Sequence, residues 1–364
     1  MGLSNGLDAF QRRHPAASFP LAVIYKYFDD FGPYLSALLT YYGFISLFPL
    51  LLLLSTVLSI VLVGHPAAQQ SILHSALSQF PVVGDQLGNP QQLSGGAGGI
   101  IIGILVSLYG GLGAAQAGQY AMNTAWRVPR NTRPNPFRSR GRSLVLLAIA
   151  GVSILVTTGL STIGGGAGSF ATETKWLAFV GSVLLTSIVF VLVFRIACAR
   201  KLSTGNVAPG AIIFAICWPV LQYFSVIYVK RVVNHASATN GVFAIVLGLL
   251  AFLYIGATIT VLCVEINVVR VDRLYPRSLL TPFTDEVMLT AGDRDVYTGQ
   301  ATAQRSKGFQ EVDVTFDQSD AAIDRRDASP DQSDVDLNQS DDTDDLDETS
   351  EPKRAGGDEP PQPA

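Results

Sequence analysis

The feature that most constrains this chain is a series of six long apolar runs between residues 35 and 264. About 20 apolar residues in a helix cross the roughly 30 Å hydrocarbon core of a bilayer, because a helix rises about 1.5 Å per residue and satisfies its own backbone hydrogen bonds. The sequence therefore predicts an all-α polytopic membrane protein with six transmembrane helices. The predicted spans are Leu35–Val63, Ile100–Tyr120, Ser143–Ile163, Leu177–Ile196, Pro209–Val229 and Val242–Val264.

Lys and Arg are divided unequally between the segments that connect these spans. The N-terminal segment, the connections after the second and fourth spans (with Arg195) and the segment that runs to Arg277 hold 15 of them. The three alternate connections together hold 3. Because positively charged loops stay on the cytoplasmic side of a membrane, this pattern predicts that both termini lie in the cytoplasm.

The same patterns divide the chain into three segments. Residues 1–34 are predicted to be a cytoplasmic segment with an interfacial helix, and residues 35–275 to be the six-span membrane domain. Residues 276–364 are predicted to be a disordered acidic tail. From Asp285 to Ala364 there are 22 acidic and 7 basic residues, a net charge of −15, and few aromatic residues that could form a core. The tail is interpreted as a solvating segment or as a docking site for a basic partner.

Two short stretches, 19–31 and 67–80, have one apolar helical face. In the first, Phe19, Val23 and Phe28 lie opposite Lys26 and Asp30. Both stretches are predicted to be short amphipathic helices at the membrane interface. Each either packs on the helix bundle as a lid or senses lipid directly.

Small residues and prolines mark three of the spans. In the second span, Gly110, Ala114 and Gly118 are four residues apart and share one helix face, which favours close helix packing. An unwound segment that lines a ligand site is the alternative. Pro49 and Pro219 are predicted to kink the first and fifth spans, either to frame a cavity near Gln222 or only to improve packing.

Arg195 and Glu265 are predicted at similar depth, at the cytoplasmic ends of the fourth and sixth spans. Buried charges need partners, so we expect these residues to pair with each other or with Asn267 and Gln119. Such a pair serves either as a structural clasp or in transport.

Catalytic chemistry has little support in the sequence. The four histidines are scattered, and no GxSxG motif, phosphate-cradling loop or metal-ligand spacing is present. The cysteines Cys198, Cys217 and Cys263 fall in or beside apolar runs, where cysteine behaves as a small apolar residue. We therefore expect no catalytic, cofactor-binding or metal-binding residues and no cofactor. The acidic tail and the short basic loops also argue against nucleic-acid binding.

Three stretches resemble the YihY/virulence factor BrkB family: YYGFISLFPL at 41–50, GAAQAGQYAMNTAW at 113–126, and NGVFAI at 240–245 with LY at 253–254 and EIN at 265–267. The resemblance covers roughly residues 10–275 and leaves out the acidic tail. It implies a bacterial inner (plasma) membrane protein with six helices, both termini in the cytoplasm, and a role in envelope integrity and serum resistance. Some members have been proposed to move lipids, and older names called some of them ribonuclease BN. No nuclease constellation is present in this sequence.

Two functional hypotheses follow from the resemblance. In the first, the protein transports or organises a lipid or another amphipathic envelope component, with polar residues lining an internal path. In the second, it is a non-transporting scaffold whose polar residues act only as clasps between helices. An enzyme is a third, weaker alternative. Expected partners are membrane lipids, envelope proteins or a second copy of the chain. The residues assigned to the path or the clasps are Tyr41, Pro49, Gln116, Gln119, Asn123, Arg195, Asn240, Glu265 and Asn267.

Overall fold

The computed structural model describes residues 8, 10–61, 70, 96–165, 172–233, 238–279 and 287–316. Within these residues the chain is helical and has no strand. The helices are α1 (Pro15–Asp29), α2 (Gly32–Val61), α3 (Gly96–Ala125), α4 (Pro136–Gly165), α5 (Thr172–Ala197), α6 (Thr204–Tyr228), α7 (Ala238–Asp272) and α8 (Ala291–Ala303). A 3₁₀ turn, Arg130–Thr132, precedes α4, and a π turn, Val229–Val233, continues α6.

Each of the six predicted spans coincides with one of the long helices α2 to α7. Among the described residues, three helical stretches are long and apolar enough to cross a membrane: Val180–Ala197, Thr204–Arg231 and Phe243–Asp272. The prediction of an all-helical membrane protein is therefore supported, whereas the number of spans and their orientation stay predictions. The amphipathic stretch 67–80 lies outside the described residues, apart from Gln70.

The six long helices form a closed ring in chain order. Each helix from α3 to α7 packs against the one before it, and α7 also packs against α2, which closes the ring. Helix α3 has further contacts with α5 and α7, and it therefore lies towards the middle of the bundle. Helix α1 lies outside this ring, against α7 and α2.

Small residues allow two of these helix pairs to approach closely. A Cβ atom on Gly110 would lie 2.9 Å from the Cα atom of Ser46, so α3 meets α2 backbone to backbone. A Cβ atom on Gly210 would overlap the carbonyl oxygen of Cys263, where α6 crosses α7. Close packing is thus the role of Gly110, and the alternative of an unwound segment is wrong over the described helix α3.

The Arg-bearing segments meet at one end of the ring. Asp272, at the end of α7, forms ion pairs with Arg127 at 2.6 Å and with Arg200 at 3.3 Å. The ends of α3, α5 and α7 are thereby joined, and we refer to this region as the basic end. It also holds much of the largest core cluster, which includes the buried Trp126 and Phe194.

Helix α1 and the two residues after it bury a lysine–aspartate pair and leave several large apolar side chains exposed. Lys26 is 0% exposed and Asp30 is 4% exposed, whereas Ile24 is 48%, Phe28 62% and Phe31 66% exposed. The predicted amphipathic helix is present, and it packs on the bundle through Lys26 together with the buried side chains of Ala22, Val23 and Tyr27. Outward apolar side chains are expected for a helix whose outer surface meets lipid rather than water.

Part of the segment predicted to be disordered is folded. Helix α8 begins with a capping box, in which the Thr290 hydroxyl accepts the Asp293 N–H and the Asp293 carboxylate accepts the Thr290 N–H. Val296 in this helix is 0% exposed. The prediction of disorder from residue 276 is therefore wrong over residues 276–279 and 287–316, because local caps and buried contacts offset the polar composition. Residues 317–364 lie outside the described chain.

Candidate functional site

Three charged side chains from distant parts of the sequence meet at the basic end. The Lys26 ammonium donates to the Asp30 carboxylate one turn along α1, and its Nζ atom lies 3.5 Å from Oε2 of Glu265 on α7. It also donates to the carbonyl oxygen of Ala125 at 3.2 Å. The side chains of Lys26 and Glu265 are 0% exposed and that of Asp30 is 3% exposed. We call these three residues the buried charge cluster.

The carboxylates of the cluster determine the protonation state of its lysine. Burial on its own lowers the pKa of Lys26, because the charged form loses its hydration. The carboxylates of Glu265 and Asp30 outweigh this effect and raise the pKa of Lys26 above its ordinary value. This balance favours the ammonium form of Lys26 at neutral pH.

A second set of buried ions lies next to the first. The Arg277 guanidinium donates to the carboxylates of Asp293 and, at 3.0 Å, Asp29. Burial lowers the pKa of Arg277, but the two carboxylates outweigh it and raise the pKa. Gln300 of α8 joins the two sets, since its amide donates to the Asp29 carbonyl at 2.9 Å and to Asp30 Oδ1 at 3.3 Å. The ions of α1, α7 and α8 thus form one continuous polar network.

Two of the predicted amides join helices at the same end. Gln119 donates to the Ser143 hydroxyl at 2.8 Å and to the Ser139 carbonyl at 3.1 Å, which ties α3 to α4. Asn123 accepts the Ala199 N–H at 2.8 Å and so ties α3 to the chain just after α5. Both amides are buried and satisfied by backbone or hydroxyl groups.

Asn267 and Arg270 hold the first turns of α6. Asn267 accepts the Gly210 N–H at 2.8 Å and donates to the Val207 carbonyl at 3.1 Å. Arg270 donates to the Gly205 carbonyl, which lies four residues before Pro209. Proline has no N–H to give to that carbonyl, so Arg270 replaces the missing helical donor.

The predicted pairing of Arg195 with Glu265, Asn267 or Gln119 is wrong. Arg195 is exposed, and it donates to the Leu202 carbonyl at 3.1 Å and to the Thr204 hydroxyl at 3.3 Å. Arg195 therefore bonds to the loop between α5 and α6 on the outer side of the ring. Glu265 faces the opposite way, toward α1, because α7 packs between α1 and α6.

The other predicted residues lie apart from the cluster. Tyr41 is 58% exposed, with its ring against that of Tyr42 at 5.2 Å, and Gln116 is exposed. Pro49 lies within α2 and Asn240 within α7, but their side chains lie outside the description. The role of these residues as a path or as clasps stays a prediction.

Two adjoining cavities open within the ring. The first, of about 270 Å³, is lined almost wholly by apolar side chains of α2, α3, α4, α5 and α7. The second, of about 470 Å³, lies among α4, α5, α6 and α7, and Pro219 and Gln222 line it. Ala150 and Thr260 line both cavities, which are therefore neighbours. A cavity therefore lies beside Pro219 and Gln222, whereas the contribution of Pro49 and the role of the two predicted kinks stay predictions.

The buried charge cluster lies at the end of the first cavity. The Ala125 side chain lines this cavity, while its carbonyl oxygen accepts from Lys26. Val264, next to Glu265 in the chain, also lines it. Ala114 and Gly118 of α3 face the cavity as well, so part of the small-residue face leaves space instead of filling it. The arrangement suits a hydrocarbon chain in the cavity, with charged protein groups beyond its end.

Sequence reasoning missed the five residues that complete the ion network: Lys26, Asp29, Asp30, Arg277 and Asp293. The spacing of Lys26 and Asp30, one helical turn apart, is a signal for an ion pair. The pattern of Thr290 and Asp293, three residues apart, is a signal for a helix start. No sequence signal pairs Lys26 with Glu265, which lies 239 residues later.

Among the residues that the structure describes, no group of three or more His, Cys, Asp or Glu is arranged to hold a metal ion. Cys198 is buried at the end of α5, and burial raises the pKa of its thiol to about 11. A thiol with that pKa is almost wholly protonated at neutral pH and is a poor nucleophile.

Comparison with known proteins gives one family and one relative. The family model described as "Virulence factor BrkB" matches residues 23–283, from the middle of α1 to beyond the end of α7. The chain is similar to the protein named "Putative ribonuclease-like protein YfkH" of Bacillus subtilis (strain 168). The two are 27% identical over 274 residues, which is 69% of this chain and 94% of the relative. No solved structure matches this chain.

Proposed function

This chain belongs to the virulence factor BrkB family, and on that premise we propose that it is a multi-pass inner-membrane protein that supports envelope integrity. In this proposal it transports or organises a lipid or another amphipathic envelope component, with six spans and both termini in the cytoplasm. The observation that supports it best is the first cavity, an apolar space inside a ring of helices with buried charges at one end.

The chemistry of this cavity argues for an acyl chain over a polar solute. Its lining is almost wholly aliphatic, and Thr260 supplies one of its few polar groups. A sugar or an ion would lose its hydration there without new hydrogen bonds, at a cost of several kcal/mol. A hydrocarbon chain instead gains about 25 cal/mol for each Å² of apolar surface removed from water.

We further propose that the protein is not an enzyme. The described charged groups at the basic end are engaged in ion pairs or in hydrogen bonds to backbone, rather than converging on the cavity. The word ribonuclease in the name of the relative belongs to that protein, and the described residues offer no support for transferring it.

A lipid-movement assay with cavity-filling variants tests the proposal. Purified protein is placed in vesicles that contain a fluorescent phospholipid, and a reductant that cannot cross the bilayer bleaches the outer leaflet. We expect wild-type protein to bring inner-leaflet lipid to the reductant faster than protein-free vesicles do. Ala150 lines both cavities, so Ala150→Phe should reduce this rate at least several-fold.

Ala148→Phe is the matched control, because Ala148 lies on the same helix and is exposed like Ala150, but lines neither cavity. This variant should move lipid at the wild-type rate. If the fluorescence of vesicles with wild-type protein is bleached no faster than that of protein-free vesicles, with or without an ion gradient, lipid movement is ruled out. The non-transporting scaffold would then be the remaining hypothesis.

A further inference from the structure

The buried charge cluster has an unequal number of positive and negative groups. One ammonium, on Lys26, faces two carboxyl groups, those of Asp30 and Glu265. All three side chains are at least 97% buried, so water does not screen the excess negative charge. When two carboxylates share a site of this kind, proteins commonly keep one of them protonated.

The surroundings of Glu265 strengthen this argument. Its Oε1 atom is buried and has no hydrogen-bond partner, so an ionised Glu265 would place charge on an oxygen that no donor stabilises. Asp30 differs, because it accepts both Lys26 and the Gln300 amide. Glu265 is therefore the carboxyl with the weaker support for its charged form.

The other charged groups near the cluster are already paired. Arg127, at the end of α3, interacts electrostatically with Lys26, but it is bound to Asp272 at 2.6 Å. Asp29 of α1 is bound to Arg277 at 3.0 Å. Helix α8 contributes only the neutral Gln300 amide to the cluster. No cation among these neighbours is available to neutralise the second carboxylate.

The ion pairs of Arg277 also join one cation to two carboxylates, but their surroundings differ from those of the buried charge cluster. There Asp29 is 21% exposed, so water reaches it. Asp293 accepts the N–H groups of Ser278 and Thr290 in addition to Arg277. Burial raises the pKa of Asp29, but both carboxylates have hydration or donors that Glu265 lacks, so the geometric argument for a shared proton does not extend to this set.

We propose that Asp30 and Glu265 hold one proton between them at neutral pH, which makes the buried charge cluster a proton-binding site at the end of the first cavity. The proton neutralises the excess charge, with Lys26 remaining an ammonium ion. This site does not depend on lipid movement. If the protein transports as proposed above, the cluster is where a proton gradient acts on it.

Infrared spectroscopy of the full-length protein in an ester-free detergent tests the proposal. A protonated carboxyl has a carbonyl band that ionised carboxylates lack and that shifts in heavy water. We expect this band in wild-type protein at pH 7 and its loss at alkaline pH. Glu265→Gln and Asp30→Asn should each remove it, because either change leaves a single carboxylate facing Lys26.

Asp293→Asn is the control, and it should leave the band in place because Asp293 binds Arg277 and is not one of the two carboxyls of the buried charge cluster. Wild-type protein without the band at pH 7 would overturn the proposal, as would a band that survives in both Glu265→Gln and Asp30→Asn. The wild-type measurement needs no variant to fold. It also needs no lipid movement, so failure of the transport proposal would leave this result unaffected.

Discussion

Buried charged residues account for most of what is specific about this molecule at the scale of single side chains. Lys26 is completely buried, and its ammonium reaches two carboxylates and a backbone carbonyl on three elements. A buried ion pair contributes little net stability when it forms, but removing one partner leaves the other charge uncompensated. Lys26 is therefore a position where one substitution has a large effect on folding.

Replacing Lys26 with methionine tests this role. Lys26→Met keeps most of the side-chain volume and removes the charge, so the two carboxyls lose their counter-ion. We expect a loss of about 3–5 kcal/mol in the free energy of unfolding, measured as a lower melting temperature in detergent. Lys201→Met is the control, because Lys201 is exposed. Equal melting of the two variants would show that the cluster contributes nothing to stability.

The crossing of α6 and α7 is the clearest example of how whole elements are held together. Pro209 removes a donor from the first turns of α6, and the side chains of Arg270 and Asn267 on α7 bond to the backbone there. Gly210 lets the helices approach closely enough for these bonds to form. A helix with internal prolines is thus fixed by its neighbour rather than by its own hydrogen bonds alone.

Enlarging Gly210 should separate these helices. In Gly210→Ala the new Cβ would overlap the Cys263 carbonyl and the Asn267 amide. We expect a destabilisation of about 1–3 kcal/mol, the usual cost of overpacking, seen as a lower melting temperature.

Gly205→Ala is the matched control for Gly210→Ala. Gly205 is in the same helix, and a Cβ there would meet no atom within 4 Å. This variant should melt at or slightly above the wild-type temperature, since alanine favours a helix over glycine. A Gly210→Ala protein as stable as Gly205→Ala would mean that α6 and α7 can separate at no cost.

At the scale of the whole molecule, a C-terminal segment beyond the family match supports the basic end. The match stops at residue 283, whereas α8 begins at Ala291 and supplies Asp293 to Arg277 and Gln300 to Asp30. These contacts join the end of the chain to α1, which lies near its beginning. The ring of helices is thereby fastened at the end that carries the buried charge cluster.

Two truncations distinguish this segment from the rest of the tail. Deleting residues 287–364 removes one of the two carboxylates on Arg277, and losing a hydrogen bond to a buried charged group costs about 1–3 kcal/mol. We expect this variant to melt at a lower temperature than the full chain. Deleting residues 318–364 removes none of the described contacts and should leave the melting temperature unchanged. Equal melting of both truncations would contradict the supporting role of α8.

The sequence by itself determined the long helices of this protein. Each of the six predicted spans coincides with one helix. The length of an apolar run can be read from the run itself, and a helix makes its backbone hydrogen bonds within its own residues, so neither property depends on the rest of the fold. For Pro219 the sequence leaves open whether a kink frames a cavity or only improves packing, and the cavity beside it is evident only from the packing of α4 to α7. The small-residue face of α3 is used in two ways, since Gly110 packs against α2 while Gly118 faces a cavity.

Only the tertiary structure decided which charges meet. Similar depth in the membrane predicts that Glu265 pairs with Arg195, but depth does not say which way a side chain faces around a helix. Glu265 faces Lys26 from α7, 239 residues away in the chain, whereas Arg195 on α5 is exposed and bonds to the loop that follows α5. Likewise, Arg277 became an interior residue because α8 folds back over it. Partnerships of this kind depend on how helices pack against one another, and no single stretch of sequence contains that information.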